Sequence, residues 1–205
     1  MRMILVGRFL SPFTRRVAIA LQLARLGFQH QPLSTLDDRA AIAKINPLGR
    51  VPALILDDGE TLIDSAAIVD CIDELAGRTR ALTPYSGIDR RRVKYWEAVA
   101  LGATEKAVAA FYERNRRPPE KVHQPWLDQL QGQLVAGLKA LEAQLAENGG
   151  VLHGTYLTIA DVTAICLVDF LRAQKSPVWS DKDFPQLAFA ADRANREPAF
   201  ASTKP

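Results

Sequence analysis

The feature that most limits the fold is a change of pattern near residue 80. Before it, short apolar runs alternate with amphipathic stretches; after it, every apolar pattern has helical spacing. Met3-Ile4-Leu5-Val6, Phe28 to Leu33, Ala53-Leu54-Ile55-Leu56 and Glu60-Thr61-Leu62-Ile63 have the length of strands. The last two flank Asp57-Asp58-Gly59, a turn that reads as a β-hairpin. Between the first two strands, Ser11-Pro12 opens a helix, with serine as a good N-cap and proline suited to the first helical position. Val17, Leu21 and Ala24 fall on one side of it, Arg15, Arg16, Gln22 and Arg25 on the other, and Gly27 is the expected stop. Asp37 to Ile45 reads as a short helix or turn. Asp64-Ser65 opens a further helix, with Ile68, Cys71, Ile72 and Leu75 on one face and Gly77 ending it. The order β-α-β-(α)-β-β-α makes one α/β unit, residues 1–78. Thr79 to Gly87 reads as a linker, and residues 88–205 as an all-helical domain.

In the helical part, Trp96, Ala100, Ala103, Ala107 and Ala110 form a small-residue stripe on one long helix, which Pro118-Pro119 ends. Trp126, Leu130, Leu134, Leu138, Leu141 and Leu145 mark the buried face of the next. Thr158-Ile159-Ala160-Asp161 reads as a capping box with Asp in place of Glu, opening a helix apolar nearly all round and expected at the domain's centre. A last helix runs from about Phe184 to Arg196.

Composition narrows the function. Lys and Arg number 26 against 23 Asp and Glu, a net charge of +3. Arginines cluster at Arg90-Arg91-Arg92 and at Arg114, Arg116 and Arg117, without interleaved aromatics or a reader motif, so no nucleic-acid partner is expected. They read as solvated helix faces or, second, as arginines beside a cleft that attracts an anion. No apolar run has the length of a membrane span, and no signal peptide is expected. Cys71 and Cys166 lie far apart on apolar helix faces, which points to a reducing, cytoplasmic setting and inert thiols. His30, His123 and His153 share no metal-ligand spacing, and no metal is expected.

Three short motifs carry polar groups suited to a ligand. Ser11 puts a hydroxyl at the positive end of a helix, a position that favours an anion. It reads either as a plain helix start or as a donor to a bound thiolate. Val51-Pro52 precedes a strand, where proline is tolerated only at a strand start or edge. A cis bond there keeps the Val51 N–H and C=O out of the sheet as a template for an extended peptide; an ordinary trans turn is the alternative. Asp64-Ser65 offers a hydroxyl and N–H groups to a carboxylate and the Asp64 carboxylate to an ammonium, or else is a plain N-cap. Arg50 pairs a second carboxylate or is a surface turn arginine.

S-P-F-T-R-R-V after a strand, N-P-L-G-R-V-P-A-L, D-S-A-A-I and T-I-A-D-V together resemble the glutathione transferase family over nearly the whole chain. The likeness is greatest to bacterial, serine-type members that begin S-P-F-x-R-K-V. The resemblance implies a thioredoxin-like N-terminal domain (βαβαββα), an all-α helical-bundle C-terminal domain, a homodimer, and glutathione as co-substrate with no resident cofactor. It makes Ser11 the thiolate-stabilising residue, Val51 the backbone partner of the cysteinyl unit and Pro52 the cis proline. Asp64 and Ser65 would hold the γ-glutamyl end. Arg50 stands near the glycyl carboxylate, where other members carry Lys or Gln, and Phe13 belongs to the glutathione-binding set or to the second pocket. That pocket, expected between the domains for a small electrophile, has Arg8, Phe9, Phe111, Tyr112, Arg114 and Trp179 as candidates, the arginines favouring acidic or polar substrates. Serine in place of cysteine argues against disulfide exchange. The implied activity is a transferase. A glutathione-dependent isomerase or dehalogenase and a non-catalytic member of the stringent-starvation type are the alternatives.

Overall fold

The computed structural model describes residues 3–205, which divide into two compact units. Residues 3–85 together with Asn195–Pro205 make the first unit, and Ser86–Ala194 the second. The sequence reading assigned all of 88–205 to the helical domain; the last eleven residues instead belong with the first unit.

The first unit holds strands β1 (Met3–Val6), β2 (Phe28–Gln31), β3 (Ala53–Ile55) and β4 (Thr61–Ile63) in the order β2-β1-β3-β4. β1 and β2 run parallel, joined through helix α1 (Pro12–Leu23), and the other two pairs are antiparallel. Helices α2 (Arg39–Ile45) and α3 (Ser65–Ala76) complete the thioredoxin-like domain. Leu5, Val6, Val17, Leu21, Leu54, Ile68 and Ile72 form its buried core.

α1 departs from its expected amphipathic character. Arg15 and Arg16, read as its polar side, are 0% and 1% exposed and rank among the largest fully buried side chains. Arg15 Nε donates to Thr203 O (2.9 Å) and its Nη2 to Asn195 Oδ1 (2.9 Å) and Phe200 O (3.3 Å), so the C-terminal segment receives it. The helix also stops before Gly27. Ala24 is its C-cap, and Arg25 takes the left-handed backbone conformation (φ 58°) that commonly ends a helix.

The second unit comprises α4 (Gly87–Arg116), α5 (Gln124–Glu147), α6 (Ile159–Ala173) and α7 (Pro185–Ala194); the short α8 (Pro198–Ala201) lies in the first unit's C-terminal segment. Ala100, Ala103, Ala107 and Ala110 are buried, and a Cβ on Gly137 of α5 would sit 2.9 Å from the Ala103 Cβ. The alanine stripe thus lets the two helices approach closely. On α5 the buried row begins at Leu127 rather than Trp126, which is 44% exposed. α6 is buried over nearly its whole circumference. Its capping box forms: Asp161 Oδ2 accepts from Thr158 N (2.8 Å), and Oδ1 accepts from Leu152 N (2.7 Å), tying down the preceding loop. Among the described residues, no helix is long and apolar enough to cross a membrane.

Candidate functional site

Three segments leave the sheet side by side. The ladder pairs Val6 with Ala53 and Ala53 with Ile63, so the end of β1, the start of β3 and the end of β4 share one rank. The next residues out are Gly7, Pro52 and Asp64. The motifs around Ser11, Val51-Pro52 and Asp64-Ser65 therefore open from a single end of the sheet.

Gly7 brings the first two together. At φ 125° its backbone is one that side chains rarely adopt, and a Cβ there would lie 2.6 Å from Thr14 Oγ1 and 2.8 Å from Val51 Cβ. Bare backbone is what lets the start of α1 and Val51 meet. Ser11 caps α1 from an extended conformation, its Oγ accepting from Thr14 N at 3.3 Å. That uses a lone pair and leaves the hydroxyl hydrogen able to donate elsewhere.

The Val51-Pro52 bond is cis, and β3 begins only at Ala53, so Val51 precedes the ladder. Asn46, 2% exposed, shapes the approach: its Nδ2 donates to Arg50 O (2.8 Å) and its Oδ1 accepts from Leu48 N (3.0 Å). The sequence reading counted Asn46 only as a turn former; the asparagine opening N-P-L-G was the available signal for such a side-chain turn. Arg50 itself is exposed.

Asp64 has φ 71°, a costly conformation for a residue with a side chain, and such outliers concentrate at ligand clamps. Its Oδ1 accepts from Ala66 N (2.8 Å), capping α3, while the side chain stays exposed. Ser65, 5% exposed, accepts at Oγ from Arg16 Nη1 at 3.0 Å. Arg16 is the residue that sequence reasoning missed.

The residues expected to form the second pocket are dispersed over both units. In the first, exposed Arg8 pairs with Asp37 (3.5 Å), and Phe13 is half-buried on α1. Phe9 stacks on His30, with 3.9 Å between ring centroids and 3° between planes, while His30 Nε2 lies 2.8 Å from Gly7 O. In the second unit, Phe111 and Arg114 line a hollow with Gln131, Phe170 and Gln174. Tyr112 and Trp179 are not part of that lining. One residue along α4 turns Tyr112 about 100° from Phe111, leaving it 40% exposed beneath the Arg116 guanidinium, 3.9 Å from its ring. Trp179 stacks on Phe184 (5.4 Å) and donates from Nε1 to Asp181 (2.8 Å). Burial, then the carboxylates of Glu74, Glu60 and Asp70, push the Cys71 thiol above its ordinary pKa, against reactivity there.

Comparison with known proteins shows which family shares this fold. The family model "Glutathione S-transferase, N-terminal domain" matches residues 5–80, and "Glutathione S-transferase, C-terminal domain" matches residues 124–188. The uncharacterized GST-like protein YibF of Escherichia coli is 28% identical over 202 residues, covering 98% of each chain. A maleylacetoacetate isomerase of Pseudomonas aeruginosa is 30% identical over 202 residues, covering 95% of this chain and 92% of that protein. Among solved structures, a glutathione S-transferase of Methylobacillus flagellatus with glutathione bound superimposes with a TM-score of 0.91 at 27% identity, covering 99% of both chains. With both family domains matched in order and a relative 30% identical over nearly the full length of both chains, the chain belongs to the glutathione S-transferase family.

Proposed function

We propose that this chain is a glutathione transferase that binds glutathione at the shared end of β1, β3 and β4 and activates its thiol with Ser11. The observation that carries this reading is the common rank of Val6, Ala53 and Ile63, from which the segments leading to the capping Ser11, the Val51-Pro52 bond and the N-terminus of α3 leave one end of the sheet. Val51 would pair with the cysteinyl main chain, the N-terminus of α3 with Asp64 and Ser65 would hold the γ-glutamyl head group, and Arg50 the glycyl carboxylate. A glutathione-bound relative with a TM-score of 0.91 supports the ligand.

The chemistry asks little of the protein. A free thiol has a pKa of about 8.5, so only a few per cent is thiolate at neutral pH. Lowering that pKa by about two units takes about 2.7 kcal/mol. One charge-assisted hydrogen bond from Ser11 and the positive end of α1 are together of that size. The thiolate then attacks a small electrophile held by the helical domain, in a homodimer of the usual family kind.

Titrating the protein with glutathione from about pH 5 to 9 while following thiolate absorbance tests this. A bound thiol that ionises about two units below its free value, and a Ser11→Ala variant that loses the shift, are expected. Binding with an unshifted thiol would favour a non-catalytic glutathione-binding member instead. A second reading, isomerisation, draws on the 30% identity to a maleylacetoacetate isomerase; turnover of maleylacetoacetate in the presence of glutathione distinguishes it from transfer.

A further inference from the structure

We propose that Arg16 is a positioning residue that fixes the Ser65 hydroxyl as a hydrogen-bond donor toward the α-carboxylate of a γ-glutamyl group. The proposal rests on the reading that Asp64-Ser65 meets that head group. A serine hydroxyl has one hydrogen and two lone pairs, and unbound it is free to donate or accept. A guanidinium has only donors, so the 3.0 Å contact from Arg16 Nη1 obliges Ser65 Oγ to accept. Among the described residues, no acceptor takes the Ser65 hydrogen in return. The hydroxyl is anchored through one lone pair with its hydrogen uncommitted, at the first residue of α3.

The placement adds charge to orientation. Arg16 is 1% exposed and Ser65 5%, so the guanidinium stands behind the hydroxyl in a region that salt screens little. A hydroxyl whose oxygen accepts from a cation is polarised into a better donor. The N-terminus of α3 adds positive potential on the same side. A group without an acceptor at this place would leave the donor unpaired, whereas a carboxylate completes it and also gains from the positive charge behind it. Arg16 would therefore confer selectivity for the carboxylate without touching it.

The test compares glutathione with an analogue in which 4-aminobutanoyl replaces the γ-glutamyl group, keeping the amine and lacking only the α-carboxylate. Calorimetric Kd values are measured for the full-length protein and its variants. The native protein is expected to prefer glutathione by about tenfold or more. Arg16→Met should lose most of that preference while binding the analogue as the native protein does. Arg16→Lys, which keeps a charged donor, should recover much of it. In a Ser65→Ala background the preference should already be low, and adding Arg16→Met should change it no further. Should Arg16→Met fail to fold, Arg16→Gln takes its place, its amide too short to reach Ser65. Equal weakening of both peptides, or an unchanged preference in the Arg16 variants, would overturn the proposal. A native protein that binds glutathione and its analogue equally would instead sink the head-group reading beneath it.

Discussion

Thr14 lies one turn beyond Ser11, and among the described residues its buried Oγ1 has no hydrogen-bond partner. Its position is dictated by neighbours. The main-chain N–H of Thr14 is committed to the Ser11 cap, and its side chain fills the space that a Cβ on Gly7 would need. A buried hydroxyl left unpaired costs about 1–3 kcal/mol, and valine has nearly the same shape without that cost. Thr14→Val is accordingly expected to stabilise the protein by about 1 kcal/mol, read as a rise in denaturant midpoint at unchanged slope. A fall in stability would mean that the hydroxyl has a partner, such as a buried water, after all. The sequence shows both residues but not their conflict. Gly7 after a strand and threonine in a first helical turn are each ordinary, and only the folded chain, which would put a Gly7 Cβ 2.6 Å from Thr14 Oγ1, makes them dependent on each other.

Helix faces were legible in outline and misread in detail, for reasons of geometry. On α5, Leu127, Leu130, Leu134, Leu138, Leu141 and Leu145 lie within an arc of about 80°, whereas Trp126 falls about 40° beyond its edge. A chain of i+4 steps drifts round the helix, and the larger apolar residue drew the sequence reading after it. On α1, arginines opposite an apolar stripe look like a solvated face; carbonyl and hydroxyl acceptors at Phe200, Thr203 and Ser65 reverse that, and none is near in sequence. The α4–α5 junction shows how one buried carboxylate can set an element boundary. Glu113 accepts from His123 N (3.1 Å) and from Arg117 Nε (2.6 Å). The His123 N–H, then Arg117, hold its carboxyl below the ordinary range despite some burial. A depressed folded-state pKa stabilises the fold above the unfolded-state value, and the benefit disappears as pH falls through the folded-state value. Glu113→Gln should therefore melt below the native protein at neutral pH, with the gap closing as the solution is acidified through the carboxylate range. A gap that stays constant with pH would mean the charge is irrelevant and only the shape of the side chain matters.

At the scale of the whole molecule, the order of secondary structure, the sheet with its hairpin and the change to helices near residue 80 were all legible, because each rests on local periodicity and turn chemistry. The return of the chain's end was not. Asn195–Pro205 follows the last helix of the second unit in sequence yet belongs with the first, and its link to α1 spans 188 residues at Arg15–Thr203. Nothing in S-T-K-P announces a buried acceptor, just as nothing in R-R announces a buried donor. This arrangement makes a prediction about where stability resides. Arg15→Met leaves Thr203 O and Phe200 O without the charged donor that now meets them, a loss expected to cost about 3 kcal/mol. The effect should be local to one unit. Hydrogen exchange is expected to lose protection in α1 and in the 195–205 segment, while α5 and α6, which belong to the second unit, keep theirs. If α5 and α6 lost protection at the same rate as α1, the two units would be opening together, and the C-terminal segment would be a fastener for the whole chain rather than for the unit that holds Ser11.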